Sequence, residues 1–301
     1  MAADPAVIVE TAPAKVNLAL HVVGREANGF HALETLAVFA DAGDRLSVSP
    51  IAEGADRFTV QGPFSQDVPA GADNLVLKAV AAMRRLAVRG GLDIELEKHL
   101  PVASGIGGGS ADAAALIRAL CRMAGLNPFT GRVPGVAAWL GSDVPMCLRS
   151  QPVLARGRGE QLEPVDDFPA LDAVLVNPGV GLRTADIFAA LQNRDNARLD
   201  RLPDRRTPDA VLDWLAAARN DLEATAIGME PAVARALWLI GGTEGCRLAR
   251  MTGAGSTCFG LYAGAAEAEA AARDLADADP AWWVRTVRLG GAEPQRAAAA
   301  S

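Results

Sequence analysis

The sequence predicts a mixed helix-and-strand protein built as two domains that share a cleft, and three observations carry that reading. At 301 residues the chain exceeds the usual size of a single hydrophobic core. Residues 7 to 61 break into short apolar runs bounded by Gly, Pro and Asp, the pattern of a β-rich unit, whereas helical spacing of apolar residues takes over afterwards. A glycine-dense loop, Gly105-Ile106-Gly107-Gly108-Gly109-Ser110, then joins an alternating run to a helical one. Hydrophobic residues make up 50% of the chain and charged ones 22%, which places it among globular rather than disordered sequences.

The elements follow in order. Strands are expected at 7–11 and 16–23, with Pro13 bending the chain between them and leaving Lys15 and Asn17 on one side of the second. A polar turn over 24–29 precedes Phe30 and His31, and further strands are expected at 33–39, 44–49 and 57–61. Asp73-Asn74 supplies a helix N-cap ahead of Leu75, Val76, Ala79, Val80, Met83 and Leu86. Gly90-Gly91 closes that helix, and Leu92, Ile94 and Leu96 alternate with acidic residues as a half-exposed strand. Beyond the glycine loop, Ala113, Ile117, Leu120, Cys121 and Ala124 share one helical face, which Gly125 ends. A short helix at 132–140, a turn at 142–145 leading into Met146-Cys147-Leu148, and a strand-like stretch at 151–163 complete the first half. Two prolines and three acidic residues at 163–169 mark the domain boundary.

The second half opens with an apolar run at 173–176, and Thr184 caps a helix containing Ile187 and Phe188. Residues 192–208 read as an exposed loop. Helices are expected at 209–218, 221–227, 231–240 and 265–277, and strands at 246–251, 257–261 and 283–288, with a second glycine turn at 252–256. The tail from 292 to 301 has no pattern and reads as disordered.

Composition excludes several classes of function. With 29 basic and 36 acidic residues the formal charge is −7, and no basic cluster offers a nucleic-acid surface. The four cysteines lie far apart without histidines at ligand spacing, so a reducing cytoplasm fits and a structural zinc site does not. The N-terminus lacks the features of a signal peptide and no run is long enough to cross a bilayer, so a cytoplasmic protein without a membrane partner is expected.

The glycine loop is the feature that carries chemistry. Glycine permits close main-chain approach to a ligand, and the start of the following helix adds free N–H donors and the positive end of its dipole. Together they make an anion site, most naturally for phosphate. The loop is not a Walker A motif, because no lysine precedes Ser110. Nor is it a dinucleotide fingerprint, because Ser110 stands where the last glycine belongs. Asp112 falls early in the helix, where a carboxylate suits the dipole. Read by themselves, Asp143 is a turn residue before Pro145, Lys15 a solvated strand lysine, and Phe30 and Phe188 core residues.

The segment from Pro101 to Ala114 resembles the phosphate loop of the GHMP kinase superfamily. Pro13-Ala14-Lys15-Val16-Asn17-Leu18 and Asn28-Gly29-Phe30-His31 narrow the resemblance to the branch that acts on a cytidine diphosphate-linked methylerythritol. Asp73-Asn74-Leu75, Lys98-x-Leu-Pro, Gly141-Ser142-Asp143-Val144-Pro145, Asn220-Asp221-Leu222-Glu223 and Thr252-Gly253-Ala254-Gly255 follow in the family's order. The resemblance implies an α+β protein with the GHMP kinase fold. Its N-terminal, ATP-binding domain, like the second domain of ribosomal S5, would span 1–163 and contain a left-handed β-α-β crossover. Its C-terminal α/β sandwich, the GHMP kinase C-terminal domain, would span 164–291.

It also implies ATP with Mg²⁺, and a small-molecule acceptor phosphorylated on its 2-hydroxyl. Asp143 becomes the general base and Lys15 the cation that keeps it ionised and aligns the hydroxyl. Asn74, Lys98, Pro101, Ser104, Gly105, Ile106, Gly107, Gly108, Gly109, Ser110 and Ala111 fall on the ATP side. Asn17, Phe30, His31, Thr184, Phe188, Thr252, Gly253 and Gly255 fall on the acceptor side, with Phe30 and Phe188 stacking on the cytosine and His31 bonding its edge. No residue is assigned to a metal. Phe30 stands where the family usually has tyrosine, and Ala103 and Ala111 where it commonly has glycine and serine. Another small-molecule kinase of the superfamily and a non-catalytic nucleotide-binding module are the competing readings.

Overall fold

A computed structural model of the chain describes residues 7–25, 31–51, 54–87 and 90–291. Phe30 and the tail from 292 therefore lie outside the described residues. The first strands are longer than the sequence pattern predicts. The runs at 7–11 and 16–23 merge into β1 (Ile8–Arg25), and those at 33–39 and 44–49 into β2 (His31–Ile51). Pro13 does not break β1, because it lies opposite Gly43 of β2, where a Cβ would stand 2.7 Å from the Pro13 Cα. The missing side chain lets β2 run past the proline. Register shifts after Pro13, Asn17 and Val22 absorb the irregularity and twist the pair.

Strand β3 (Arg57–Gln61), helix α1 (Leu75–Ala87) and strand β4 (Gly91–Glu97) form a crossover unit with β3 and β4 parallel. Asn74 caps α1 as expected, its Oδ1 accepting the Val76 N–H at 2.8 Å. Helix α2 (Gly108–Ala124) ends at Gly125 in the left-handed conformation. Its alanine-rich inner face, Ala111 to Ile117, is buried and packs on β1 and α1. Helix α3 (Val133–Leu140) follows, and then α4 (Val144–Arg149) occupies the stretch expected as a turn. Pro145 explains the difference, since its fixed φ suits the first turn of a helix. The hairpin β5 (Val153–Gly157) and β6 (Gln161–Pro164) closes the first half.

The second half consists of β7 (Leu171–Asn177), α5 (Thr184–Ala190), α6 (Pro208–Ala217), α7 (Glu223–Met229), α8 (Pro231–Gly242), β8 (Cys246–Met251), β9 (Cys258–Tyr262), α9 (Ala265–Ala278) and β10 (Trp283–Leu289). Thr184 begins α5 rather than capping it: Arg183 holds the cap position and no side-chain bond is made there. The loop at 192–208 is less exposed than its charges suggest, because Leu202 is buried and Glu34 accepts the Leu199 N–H and the Arg198 guanidinium.

Among the described residues the strands join one mixed sheet, whose path runs β3-β4-β2-β10-β7-β9-β8. Strand β1 lies along β2, and β5 pairs with the first part of β2. The register of β10 to β2 is a single pair, Leu289 with Ala40, so the two halves meet at the middle of β2. Helices α1 and α2 cover one end of this sheet, and α8 and α9 cover the other. Residues Ala12 to Val22 of β1 are buried without interruption, because β1 is covered on both faces where the halves meet. Lys15 and Asn17 lie in that covered stretch.

Candidate active site

Lys15 is 4% exposed and so is not a solvated strand lysine. Its N–H donates to the Ile106 carbonyl at 2.9 Å, which ties β1 to the glycine loop. Its Nζ donates to Asp143 Oδ2 at 2.8 Å, across 128 positions of sequence. Asp143 precedes α4 but does not cap it, so the carboxylate is spent on the lysine instead. Its side chain remains 36% exposed while that of Lys15 is 5% exposed. A buried cation thus holds a carboxylate whose open side faces a cavity of about 540 Å³.

The glycine loop forms one wall of that cavity, through Ser104, Gly105, Gly107, Gly108, Gly109 and Ser110. Gly107, at φ +67°, opens α2, and the first helical bond runs from the Ala111 N–H to its carbonyl. The N–H groups of Gly108, Gly109 and Ser110 precede that bond and lie at the positive end of a helix of 17 residues. A Cβ on Gly107 would stand 3.3 Å from the Lys15 Cβ, so the bare backbone brings the loop and the Lys15–Asp143 pair together. Ala103, which also lines the cavity, holds φ +53°, where the resemblance leads one to expect glycine. Ile106 and Ala111 are buried below the loop, and the Pro101 carbonyl accepts the Ser104 hydroxyl at 2.7 Å.

Lys98 does not reach the cavity. It is 2% exposed, and its Nζ donates to Asp44 Oδ2 and Asp112 Oδ2, both at 2.6 Å. Asp44 also accepts the N–H groups of His99 and Leu100. The cluster sits under the start of α2, with Lys98 Nζ 3.1 Å from where a Gly108 Cβ would be. Asp112 therefore points inward, one turn into α2, and does not face a bound anion. Burial, reinforced by the charge of Asp44, pushes its carboxyl up to about 7 against the pull of Lys98. The two carboxylates together raise the Lys98 ammonium even though burial alone would lower it. Asn74 is likewise engaged, capping α1 and donating to the Pro69 carbonyl at 2.9 Å.

The opposite wall carries Gly181, Leu182, Arg183, Thr184 and Phe188, with Gly253 and Ala254 of the second glycine turn. The His31 ring stacks on Phe188, with centroids 5.0 Å apart and planes inclined by 24°. Burial first, and then the charges of Arg194 and Arg25, lower the His31 pKa, so the ring is neutral at pH 7. Its Nε2 is buried without a hydrogen-bond partner among the described residues.

Asn17 donates its Nδ2–H to Thr35 Oγ1 at 2.7 Å, while its N–H donates to Thr252 Oγ1 at 2.8 Å. Its Oδ1 is buried and has no partner among the described residues. Asn220 fixes the second turn by donating to the Met251 and Gly253 carbonyls, and Glu223 accepts the Met251 N–H. Thr252 and Gly255 are buried and shape that turn from behind.

The structure thus assembles Lys15, Asn17, Ser104, the loop glycines, Ser110, Asp143, Thr184, Phe188 and Gly253 around one cavity, and leaves Asn74, Lys98, Pro101, Ile106 and Ala111 as its supports. Sequence reasoning missed Thr35, Arg158 and Arg183, which also line it, and Asp44 beneath it. Arg158 stands between Gly157 and Gly159 and Arg183 two residues after Gly181, and a basic residue set in a glycine-bearing stretch was the available signal for both. Asp44 gave none, since its partner Lys98 is 54 positions away.

Comparison with known proteins shows the family. The model of the GHMP kinases N terminal domain matches residues 74–151, and that of the GHMP kinases C terminal matches residues 188–281. The 4-diphosphocytidyl-2-C-methyl-D-erythritol kinase of Mesorhizobium japonicum is 46% identical over 288 residues, covering 94% of this chain and 96% of its own. The enzyme of the same name from Dinoroseobacter shibae is 47% identical over 274 residues, covering 91% and 92%. A crystal structure of a 4-(cytidine 5'-diphospho)-2C-methyl-D-erythritol kinase superimposes with a TM-score of 0.77 at 33% identity, covering 94% of this chain and all of that one. The paired Lys15 and Asp143, the glycine loop and these matches along the whole chain place it in the GHMP kinase superfamily, as a member of the 4-diphosphocytidyl-2-C-methyl-D-erythritol kinase family.

Proposed function

We propose that the chain transfers the γ-phosphoryl group of ATP to the 2-hydroxyl of 4-diphosphocytidyl-2-C-methyl-D-erythritol. The observation that carries the reading is the Lys15–Asp143 pair, 2.8 Å apart, facing the glycine loop across a single cavity. Asp143 takes the proton of the acceptor hydroxyl as its oxygen bonds the γ-phosphorus, and the bond from that phosphorus to the bridging oxygen of ADP breaks. Lys15 fixes the carboxylate and places a positive charge beside the reacting oxygens. The N–H groups of Gly108, Gly109 and Ser110 receive the phosphates of ATP.

Asn17 Oδ1, a buried acceptor without a partner among the described residues, suits a substrate hydroxyl. The neutral His31 ring and the Phe188 ring receive the cytosine, with Phe30 preceding His31 in sequence. Mg²⁺ fits as an ion carried on the ATP phosphates, where it neutralises developing charge. Among the described residues no group of three His, Cys, Asp or Glu side chains could hold an ion by itself, and Asp112 is committed to Lys98. On this reading residues 1–163 hold the nucleotide and 164–291 contribute the acceptor wall. The reaction takes place in the cytoplasm, in keeping with four free thiols and, among the described residues, no helix long and apolar enough to cross a membrane.

ADP release with the cytidine-linked acceptor, mevalonate and homoserine tests the assignment. Turnover with the first only is expected. Comparable turnover with either of the others would assign the chain to a different acceptor class.

A further inference from the structure

We infer that Arg183 is the residue that selects the acceptor by its diphosphate, pairing with that group between the base pocket and the catalytic pair. The inference rests on the acceptor assigned above. Among the described residues the charged ones lining the cavity are Lys15, Arg158, Arg183 and Asp143, three cations to one anion, in a chain whose net charge is −7. Lys15 is neutralised by Asp143, and Lys98 is held beneath the loop by Asp44 and Asp112. The other two cations of the lining are Arg158 and Arg183, and they stand in different places.

Arg158 lies in the β5–β6 turn, beside Gly159, which packs near Ser142 and Met146 on the catalytic side. Arg183 immediately precedes Thr184 and lies five positions before Phe188, on the acceptor wall. Thr184 and Phe188, four apart on α5, share a helical face. A ligand whose base meets Phe188 and whose hydroxyl meets Asp143 lies in the cavity that Arg183 also lines, with its diphosphate between those two ends. The Arg183 side chain is 82% exposed, and its ion pair with Asp186 is long, at 3.8 Å. So exposed a pair is weak and gives way readily to a doubly charged ligand. A guanidinium offers forked donors that match phosphate oxygens, a geometry that neither lysine nor glutamine reproduces.

Steady-state kinetics of the full chain carrying Arg183→Gln and Arg183→Lys tests this, with thermal unfolding to verify the fold. For Arg183→Gln the KM of the cytidine-linked acceptor should rise about 10- to 100-fold, the loss expected for charge-assisted bonds. The KM of ATP should stay within about twofold, and Arg183→Lys should recover part of the loss. Added salt should raise the acceptor KM of the wild-type chain more steeply than that of Arg183→Gln. An unchanged acceptor KM in Arg183→Gln, or an equal rise for ATP, overturns the role of Arg183 and leaves the acceptor assignment standing. Absence of turnover of this acceptor by the wild-type chain overturns both.

Discussion

Asp112 carries a folded-state carboxyl pushed up to about 7 from an ordinary value of 3.8. The folded chain therefore holds a proton that the unfolded chain has released between those values. Stability from this group is full below pH 4 and is lost as the pH rises toward 7. Asp112→Asn keeps an oxygen for Lys98 and has no proton to lose. Urea midpoints across pH 4 to 8 should show the variant gaining on the wild-type chain up to about pH 7 and then running parallel to it. A constant difference would mean that Asp112 stays ionised throughout. His31 is a second test at this scale. With the neutral ring engaged by the base, His31→Ala should raise the acceptor KM by about tenfold and leave that of ATP alone. An unchanged acceptor KM would remove His31 from the base pocket. These residues also mark the limit of reading by position. Lys98 is a cation next to a phosphate loop in the sequence, yet Asp44 from β2 and Asp112 from α2 take it out of the cavity. Only the tertiary fold brings that pair of carboxylates to it.

The glycine loop was legible as an element because its signal is local: a strand, glycines and a helix start lie within one stretch of sequence. The contacts that position it are not local. A Cβ on Gly105 would stand 2.6 Å from the Gly255 carbonyl and 2.8 Å from that of Thr252, so the two glycine turns meet backbone to backbone. Gly105→Ala should separate them and lower kcat/KM by at least about tenfold, with a loss of stability above 1 kcal/mol in denaturant titration. An unperturbed variant would show that the turns are not coupled. Ala103 offers the reverse test, since its φ of +53° is costly for any side chain. Ala103→Gly should be stabilising by up to about 1 kcal/mol, the relief of left-handed strain less the added chain entropy. The merging of predicted strands into β1 and β2 has the same non-local origin. Pro13 signals a break, and only Gly43 opposite it in the sheet removes the obstacle.

At the scale of the whole molecule, two features of the sequence, its length and its shift from strand to helix patterning, pointed to two halves around a cleft. The structure adds how they are joined: β2 pairs with β1, β4 and β5 of the first half and with β10 of the second, through Ala40 and Leu289. Buried Ala14, Val16, Leu18, Leu175, Phe259 and Leu289 share one apolar cluster across that junction. The proposed site depends on it, since Lys15 and Asn17 belong to the strand that the second half covers. The pairing of Lys15 with Asp143 was invisible to periodicity and became legible only through the ordered family motifs, and that of Asn17 with Thr35 was not legible at all. The most direct test is phosphoryl transfer by Asp143→Asn, measured in a single turnover with ATP and the cytidine-linked acceptor. ATP binding should be retained while the transfer rate falls by at least about 100-fold, as expected for loss of a general base. Transfer at the wild-type rate would contradict the assignment of Asp143 and, with it, the catalytic pair at the centre of the site.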